Sequence, residues 1–352
     1  MGSVLFELPI GGIEVKYVLS VLLGAASYGV LSTFVVKAYE AGYSLGEVTG
    51  SQMMVGFLLS WGFAYWLRLR RKYSKNQLPA GTMPNNSASA LKAAGKKAGA
   101  GVEANKAGAA ATALSWKQRL ILMAAGMPTA ITGLLYYQSL RYIPASLAIL
   151  LLFQFTWISV LVQSVRQRKR PSGIIYWTLF VLLSGTFLAA GVLEQGLGRL
   201  HLWGLLLGFL SAISYTLFIM VSGKAVQSAP PAERSKWMMA GALLLIWTIF
   251  PPQFLWNGEL VSSLLVFGIF LGLFGAFIPP LLFAYGVPHV GEGLAGILGA
   301  AELPVAVLLS SVVLHEQVSV LQWGGVLLVL LGIALPEWMK RRQRRKTTAF
   351  NH

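Results

Sequence analysis

Residues 136–188 read YYQSLRYIPASLAILLLFQFTWISVLVQSVRQRKRPSGIIYWTLFVLLSGTFL, and residues 283–335 read FAYGVPHVGEGLAGILGAAELPVAVLLSSVVLHEQVSVLQWGGVLLVLLGIAL. The two blocks align without a gap. Leu147-Ala148 falls on Leu294-Ala295, and Gly185 falls on Gly332. Eleven of the forty-two positions from 147 to 188 match, and the spacing of turns, charges and glycines is shared as well. A long apolar block repeated at fixed register points to two copies of one unit. In a membrane that architecture belongs above all to secondary transporters.

Composition sets the solvent. Apolar residues make up 56% of the chain and charged residues 11%, against roughly a quarter charged in soluble domains. One soluble core could not hide that much apolar surface, so lipid is the expected surrounding. All twelve acidic residues are glutamate, and cysteine is absent. Disulfides, thiolate metal sites and cysteine nucleophiles are therefore excluded. The net charge of +16 does not point to nucleic acid, because the basic tracts lack interleaved aromatics. They sit between or after apolar spans. Residues 1–15 hold Glu7, Pro9 and Glu14 and no basic n-region, so a cleaved signal peptide is not expected.

A helix needs about 20 mostly apolar residues to cross a bilayer. Ten segments qualify, numbered here as spans one to ten: 17–39, 48–67, 119–140, 144–165, 172–193, 202–223, 237–256, 261–287, 291–314 and 318–338. If both termini are cytoplasmic, 25 basic residues fall inside, leaving only Lys37, Arg141 and Arg199 at the outer side. That is the expected positive-inside bias. Trp61, Trp66, Trp116, Trp203, Trp256 and Trp338 near span ends read as an interfacial belt.

The expected fold is an all-α membrane protein of ten transmembrane helices, built as two inverted five-helix repeats. Residues 1–70 carry spans one and two. Residues 71–116, rich in Ala, Gly, Lys, Ser and Asn, read as a disordered basic cytoplasmic linker. Residues 117–195 complete the first repeat, 196–338 form the second, and 339–352 form a basic cytoplasmic tail. Five helices per repeat reverse the direction of the second copy, so Lys37 corresponds to Lys224 and Tyr28 to Tyr215. Such a pair supplies two interconvertible facings for alternating access.

Three passages resemble the EamA type of drug/metabolite transporter. They are Tyr28 to Gly42, ending Val36-Lys37-Ala38-Tyr39-Glu40-Ala41-Gly42; Tyr285 to Pro304; and His315-Glu316-Gln317-Val318-Ser319 followed by Gly324-Gly325 and Gly332. The resemblance covers nearly all of the chain except 71–116. It implies secondary transport, with export expected, of small metabolites, amino acids or drugs, with no cofactor. The departures are Trp157 against Pro304, Lys169 against Glu316, Gln52 where relatives often carry arginine, and the extended linker.

Glu302 is the sharpest candidate for chemistry. It stands near the middle of span nine, where a charge costs about 2.5–3.5 kcal/mol on insertion scales. Proton binding and release, or contact with a cationic substrate group, is the functional reading; a protonated carboxyl acting as packing glue is the structural one. Pro304 lacks an N–H, marks a helix break and frees the carbonyl of Ala300. Gln154 and Gln138 are polar cavity candidates, and Tyr28, Trp157, Tyr215 and Tyr285 are aromatic ones, with plain packing as the alternative for each. Glu292, expected at the outer start of span nine, suits a helix N-terminus or a vestibule. Glu316, expected in the inner turn before span ten, caps that helix, pairs with a loop arginine or serves as a gate. Lys37 attracts anions at the outer mouth or snorkels to headgroups.

No catalytic or metal-binding constellation is visible. His315-Glu316-Gln317-Val318 leads into Ser319, so the second histidine of a zinc-protease helix is missing. The four histidines lie at span ends or at the terminus. An enzyme is not expected, and a non-transporting membrane sensor or scaffold is the alternative class. The expected partners are a small-molecule substrate, the lipid bilayer and, through Glu302, protons. The expected location is the plasma (inner) membrane, multi-pass.

Overall fold

The computed structural model describes residues 9–10, 13–76, 114–168, 173–189, 201–222, 224–258, 263–290, 298–299 and 301–332. Glu292, residues 77–113 and the tail after Gly332 lie outside them. A two-residue antiparallel pairing, Pro9–Ile10 against Ile13–Glu14, precedes span one. Everything else regular is helix.

Four helical stretches are long and apolar enough to cross a membrane: Val15–Glu40, Trp116–Ser139, Leu202–Val221 and Ser263–Phe283. Shorter apolar helices occupy spans four, five, nine and ten. Span two is the helix Leu45–Asn76, which runs six residues into the expected linker. Its N-terminus is closed by a capping box, with Ser44 and Glu47 bonding reciprocally at 2.7 to 3.3 Å. Ser115 and Gln118 do the same for span three. Large apolar side chains such as Leu202 (79% exposed) and Val266 (68%) point outward, a surface that lipid and not water would cover.

The interruptions of the helices follow the register of the repeat. Span four consists of Ala145–Leu152 and Phe155–Gln167, broken at Phe153 and Gln154. In span nine the helix Glu302–Val313 starts after a turn at Ala301. The offset of 147 residues that aligns the two blocks carries Phe155 onto Glu302, so both helices resume at equivalent positions. Span three carries Pro128 inside its helix; the same offset places Pro128 on Gly275, within the π-helical turn Gly272–Phe277 of span eight. Span one also breaks, at Val30 between Val15–Gly29 and Leu31–Glu40.

Packing has the same regularity. Span three packs on spans six and seven, as span eight packs on spans one and two. Span four packs on six, as nine packs on one; spans two and seven, and spans four and nine, pack on each other. Exchanging each span with the one five places along maps these pairs onto themselves. Close approach depends on glycine. Gly126 of span three meets the backbone of Met238, and Gly241 of span seven meets that of Met123. Gly185 and Gly325 bring spans five and ten into backbone contact.

The bundle has two distinct ends. Arg68, Arg119, Glu233 and Lys236 gather at one, the basic end, where Tyr17 stacks on His289 at 3.7 Å. Lys37, Arg141, His201 and Ser263 gather at the other. Glu316 lies at that second end, beside Ala145 and Ser146. The turn after span nine therefore lies at the same end as Lys37 and Arg141, not at the opposite end from Lys37 as expected.

Candidate functional site

Midway along the bundle, residues of eight spans line a cavity of about 90 Å³. Glu302 faces it from the first turn of its helix. Pro304, two residues on, costs no intrahelical bond there, because the first N–H groups of a helix have no partner within it. Span one reaches Glu302 through Gly29. A β-carbon at that position would stand 2.6 Å from the Glu302 carbonyl oxygen, so only glycine allows the approach.

Four phenols, Tyr28, Tyr136, Tyr137 and Tyr215, line the same cavity with Thr129, Thr132 and Gln52. Gln52 is 4% exposed, and neither its Oε1 nor the Tyr136 hydroxyl makes a hydrogen bond of full geometry among the described residues, although Tyr137 approaches the Gln52 side chain and Ser32 the Tyr136 hydroxyl. An unmet buried polar group costs about 1–3 kcal/mol, which favours an occupant that can bond to it. Gly275, in the π-helical turn, makes room for the Gln52 amide: a β-carbon there would lie 2.7 Å from its Nε2. No lysine, arginine or histidine lines the cavity among the described residues. A group that donates hydrogen bonds and carries positive charge suits such a lining, through charge-assisted bonds to a carboxylate and contact with aromatic faces.

At the position equivalent to Glu302 the other half carries no carboxyl group. Phe155, the counterpart of Glu302, packs edge-on against Tyr215 with centroids 4.7 Å apart. Its carbonyl accepts from the Thr216 hydroxyl at 3.4 Å, much as the Glu302 carbonyl meets Gly29. The carboxyl group is on one side only.

The other candidates divide. Tyr28 and Tyr215 join Glu302 in the cavity; Gln154, Gln138 and Tyr285 do not. Gln154 is buried in a closed network: its Nε2 donates to the Leu150 carbonyl (2.8 Å) and to Thr186 Oγ1 (2.7 Å), and its Oε1 accepts from Trp157 Nε1 (2.8 Å). It holds the break in span four together. Gln138 lies at the end of its helix, 3.4 Å from the Tyr142 hydroxyl. Tyr285 lines a different cavity toward the basic end. Lys37 pairs with Glu40 at 2.7 Å on the surface, where such pairs contribute little.

Glu316 caps the wrong helix for the expectation. Its carboxylate accepts from Ala145 N (2.7 Å), Ser146 N (3.2 Å) and Ser146 Oγ (2.8 Å), satisfying the N-terminus of span four instead of span ten. His315 adopts φ 55° to aim it, and the Glu316 N–H returns to the Ser310 carbonyl, a Schellman-type ending. Span ten is capped by Ser319 and Gln322. Gln52, Tyr136, Thr129 and Thr132 were not singled out from the sequence as site residues. Their signal, polar groups one or two turns apart on spans two and three, is ordinary for any buried helix face.

Known proteins align with this architecture. Residues 202–336 match the EamA-like transporter family. "Uncharacterized transporter sll1319" of Synechocystis sp. is 25% identical over 58% of this chain, and "Uncharacterized transporter YwfM" of Bacillus subtilis is 25% identical over 52%. The matches span 63% and 60% of those two proteins, so the chain covers about three fifths of each curated relative. A crystal structure superposes over 92% of this chain and 98% of its own, with TM-score 0.56 and 17% identity, a likeness of fold alone. Taken with the apolar helices, these matches make residues 202–336 similar to the EamA-like transporter family and the chain a multi-pass membrane protein similar to transporters.

Proposed function

We propose that this protein is a secondary transporter that moves small amine-bearing molecules, among metabolites, amino acids or drugs, across the plasma membrane by alternating access. The observation that carries the reading is the mid-bundle cavity, in which Glu302 is the single charged side chain among the described residues that line it. The substrate's ammonium group, or a proton exchanged for it, occupies the Glu302 carboxylate. Gln52 and Tyr136 accept the remaining donors.

Ten spans in two inverted repeats are part of the same reading. Its support is the packing pattern, unchanged when the halves are exchanged, and the equivalent breaks at Phe155 and Glu302. Discontinuous helices at mid-depth are where such transporters bind substrate. The positive-inside rule makes the basic end cytoplasmic, which puts Glu316, Lys37 and Arg141 outside. At about 90 Å³ the cavity holds an ammonium group and a few waters but not a drug-sized ligand, which needs roughly 300–1,000 Å³. The structure therefore corresponds to a closed state on this reading.

Purified protein in liposomes tests it. Radiolabelled small amines and amino acids should cross at a saturable rate, and equimolar anionic metabolites should not compete. Uptake of no class above the empty-liposome rate would leave the sensor or scaffold alternative.

A further inference from the structure

A second cavity, of about 280 Å³, opens toward the basic end. Its walls continue those of the central cavity along the same three helices. On span two, Ser60 lies seven residues beyond Met53; on the helix Pro231–Ile249, which carries span seven, Ser235 lies four before Met239; on span eight, Pro280 lies four beyond Ala276. Steps of four and seven keep a helix face. Between the two spaces Gly56 presses against Ala276, and a β-carbon on Gly56 would stand 3.8 Å from the sulfur of Met239.

We infer that the second cavity is the vestibule through which ligand passes between the central site and the basic end, and that the Gly56–Ala276 contact, covered by Met239, is the constriction separating them. The inference rests on the transport reading above. It also identifies the moving wall. Spans two and seven are tied together at this end, with Glu233 paired to Arg68 at 2.7 Å and to Lys236 at 2.8 Å. Span eight, residues 261–287, carries no acidic or basic side chain that could join this network. Ala276 and Phe277 sit in its π-helical turn, a kind of turn that occurs frequently at functional sites. Moving that segment away from Gly56 carries Ala276 and the Phe277 ring, which stands edge-on to Phe63 at 5.7 Å, out of the path. The thioether of Met239 is flexible enough to swing aside.

The absence of cysteine allows single introduced thiols to report directly. In full-length protein in oriented membrane vesicles, Ser60→Cys and Ser235→Cys should react with a membrane-impermeant maleimide added to the face carrying Lys236, and not from the other face. Thr132→Cys, in the central cavity, should react slowly from the Lys236 face. Adding Met239→Ala should raise that rate by about tenfold, a modest shift of the open population, and Met239→Leu should return it to the slow value, which controls for misfolding. Gly56→Val, which has no room against Ala276, should wedge the constriction open and raise the rate as well. Reaction of Ser60→Cys and Ser235→Cys only with membrane-permeant reagents would make the cavity a lipid-facing groove and overturn the vestibule. An unchanged Thr132→Cys rate with Met239→Ala would overturn the constriction. The labelling pattern without any substrate flux would uphold the vestibule while removing the transport reading.

Discussion

Gly29 holds span one against the carbonyl oxygen of Glu302, leaving space for hydrogen and nothing larger: a β-carbon would stand 2.6 Å from that oxygen and 2.9 Å from Val305 Cβ. The counterpart in the other half is Thr216, whose hydroxyl reaches the Phe155 carbonyl at 3.4 Å. Each half therefore joins its first helix to the resumed part of its broken helix. Only the contact at Glu302 borders a carboxylate.

That asymmetry is testable. Gly29→Val forces spans one and nine apart and should abolish flux, with a stability loss of about 1–3 kcal/mol, the usual cost of overpacking. Thr216→Ala removes a hydroxyl shared between the Ala212 carbonyl (2.9 Å) and the Phe155 carbonyl (3.4 Å) and should cost about 0.5–1.5 kcal/mol while leaving KM within about twofold. Thermal unfolding in detergent and initial-rate uptake check the pair. Equal loss of flux in both would contradict the one-sided site.

Gln154 provides the opposite case. Gln154→Leu leaves the Trp157 indole N–H and the Thr186 hydroxyl short of a partner, which should lower stability by about 1–3 kcal/mol. Because Gln154 does not line the cavity, KM for a transported amine should stay unchanged. A large rise in KM with full stability would return Gln154 to the binding site.

At the basic end, Lys236 is 8% exposed and Glu233 12%, while Arg68 is 64% exposed. Glu233→Gln strands the buried Lys236 charge and should destabilise by about 3 kcal/mol, whereas Arg68→Gln should cost under about 1 kcal/mol. The double substitution Glu233→Gln with Lys236→Met removes the stranded charge and should recover most of the loss. Melting temperatures of the three variants decide it. A double variant no better than Glu233→Gln would show that the ion pair is not the cause.

Glu316 ties the turn after span nine to the start of span four by three hydrogen bonds. Glu316→Ala leaves the Ala145 and Ser146 N–H groups bare, at about 1–2 kcal/mol for a lost cap. The two halves should then separate more readily at that end, raising the reactivity of Thr132→Cys from the Lys37 face. Unchanged reactivity from that face would reduce Glu316 to a local cap.

Much of this architecture is legible without coordinates. The repeat is visible in the sequence, but the break in span four at Phe153 and Gln154 was not expected from it; the lone mid-span carboxyl singled out Glu302, and the pairing of first helices brought in Tyr28 and Tyr215, all three of which line the cavity. What sequence did not reveal depends on direction around each helix. In a soluble helix, polar residues mark the outer face; here both lipid and core are apolar, so Gln52 and Tyr136 carry no periodic signal separating cavity from packing. Gln154 misled for the same reason. Its network partner Trp157 stands three residues away, within reach on one helix face, but Thr186 comes from span five. None of the alternatives read for Glu316 included the start of span four, because the N–H groups it caps lie 171 and 170 residues earlier.

The central claim is that Glu302 is the charged element of the transport cycle. Its most direct test is counterflow of a labelled amine into liposomes carrying wild-type protein or Glu302→Gln, with and without an imposed pH gradient. Glutamine keeps the shape and removes both the charge and the exchangeable proton. The account predicts that wild-type flux responds to the gradient, and that Glu302→Gln folds normally but loses gradient-driven flux and binds the amine at least about tenfold more weakly, the 1.4 kcal/mol expected at minimum for a charge-assisted bond. Gradient-driven flux near the wild-type rate in Glu302→Gln would contradict it.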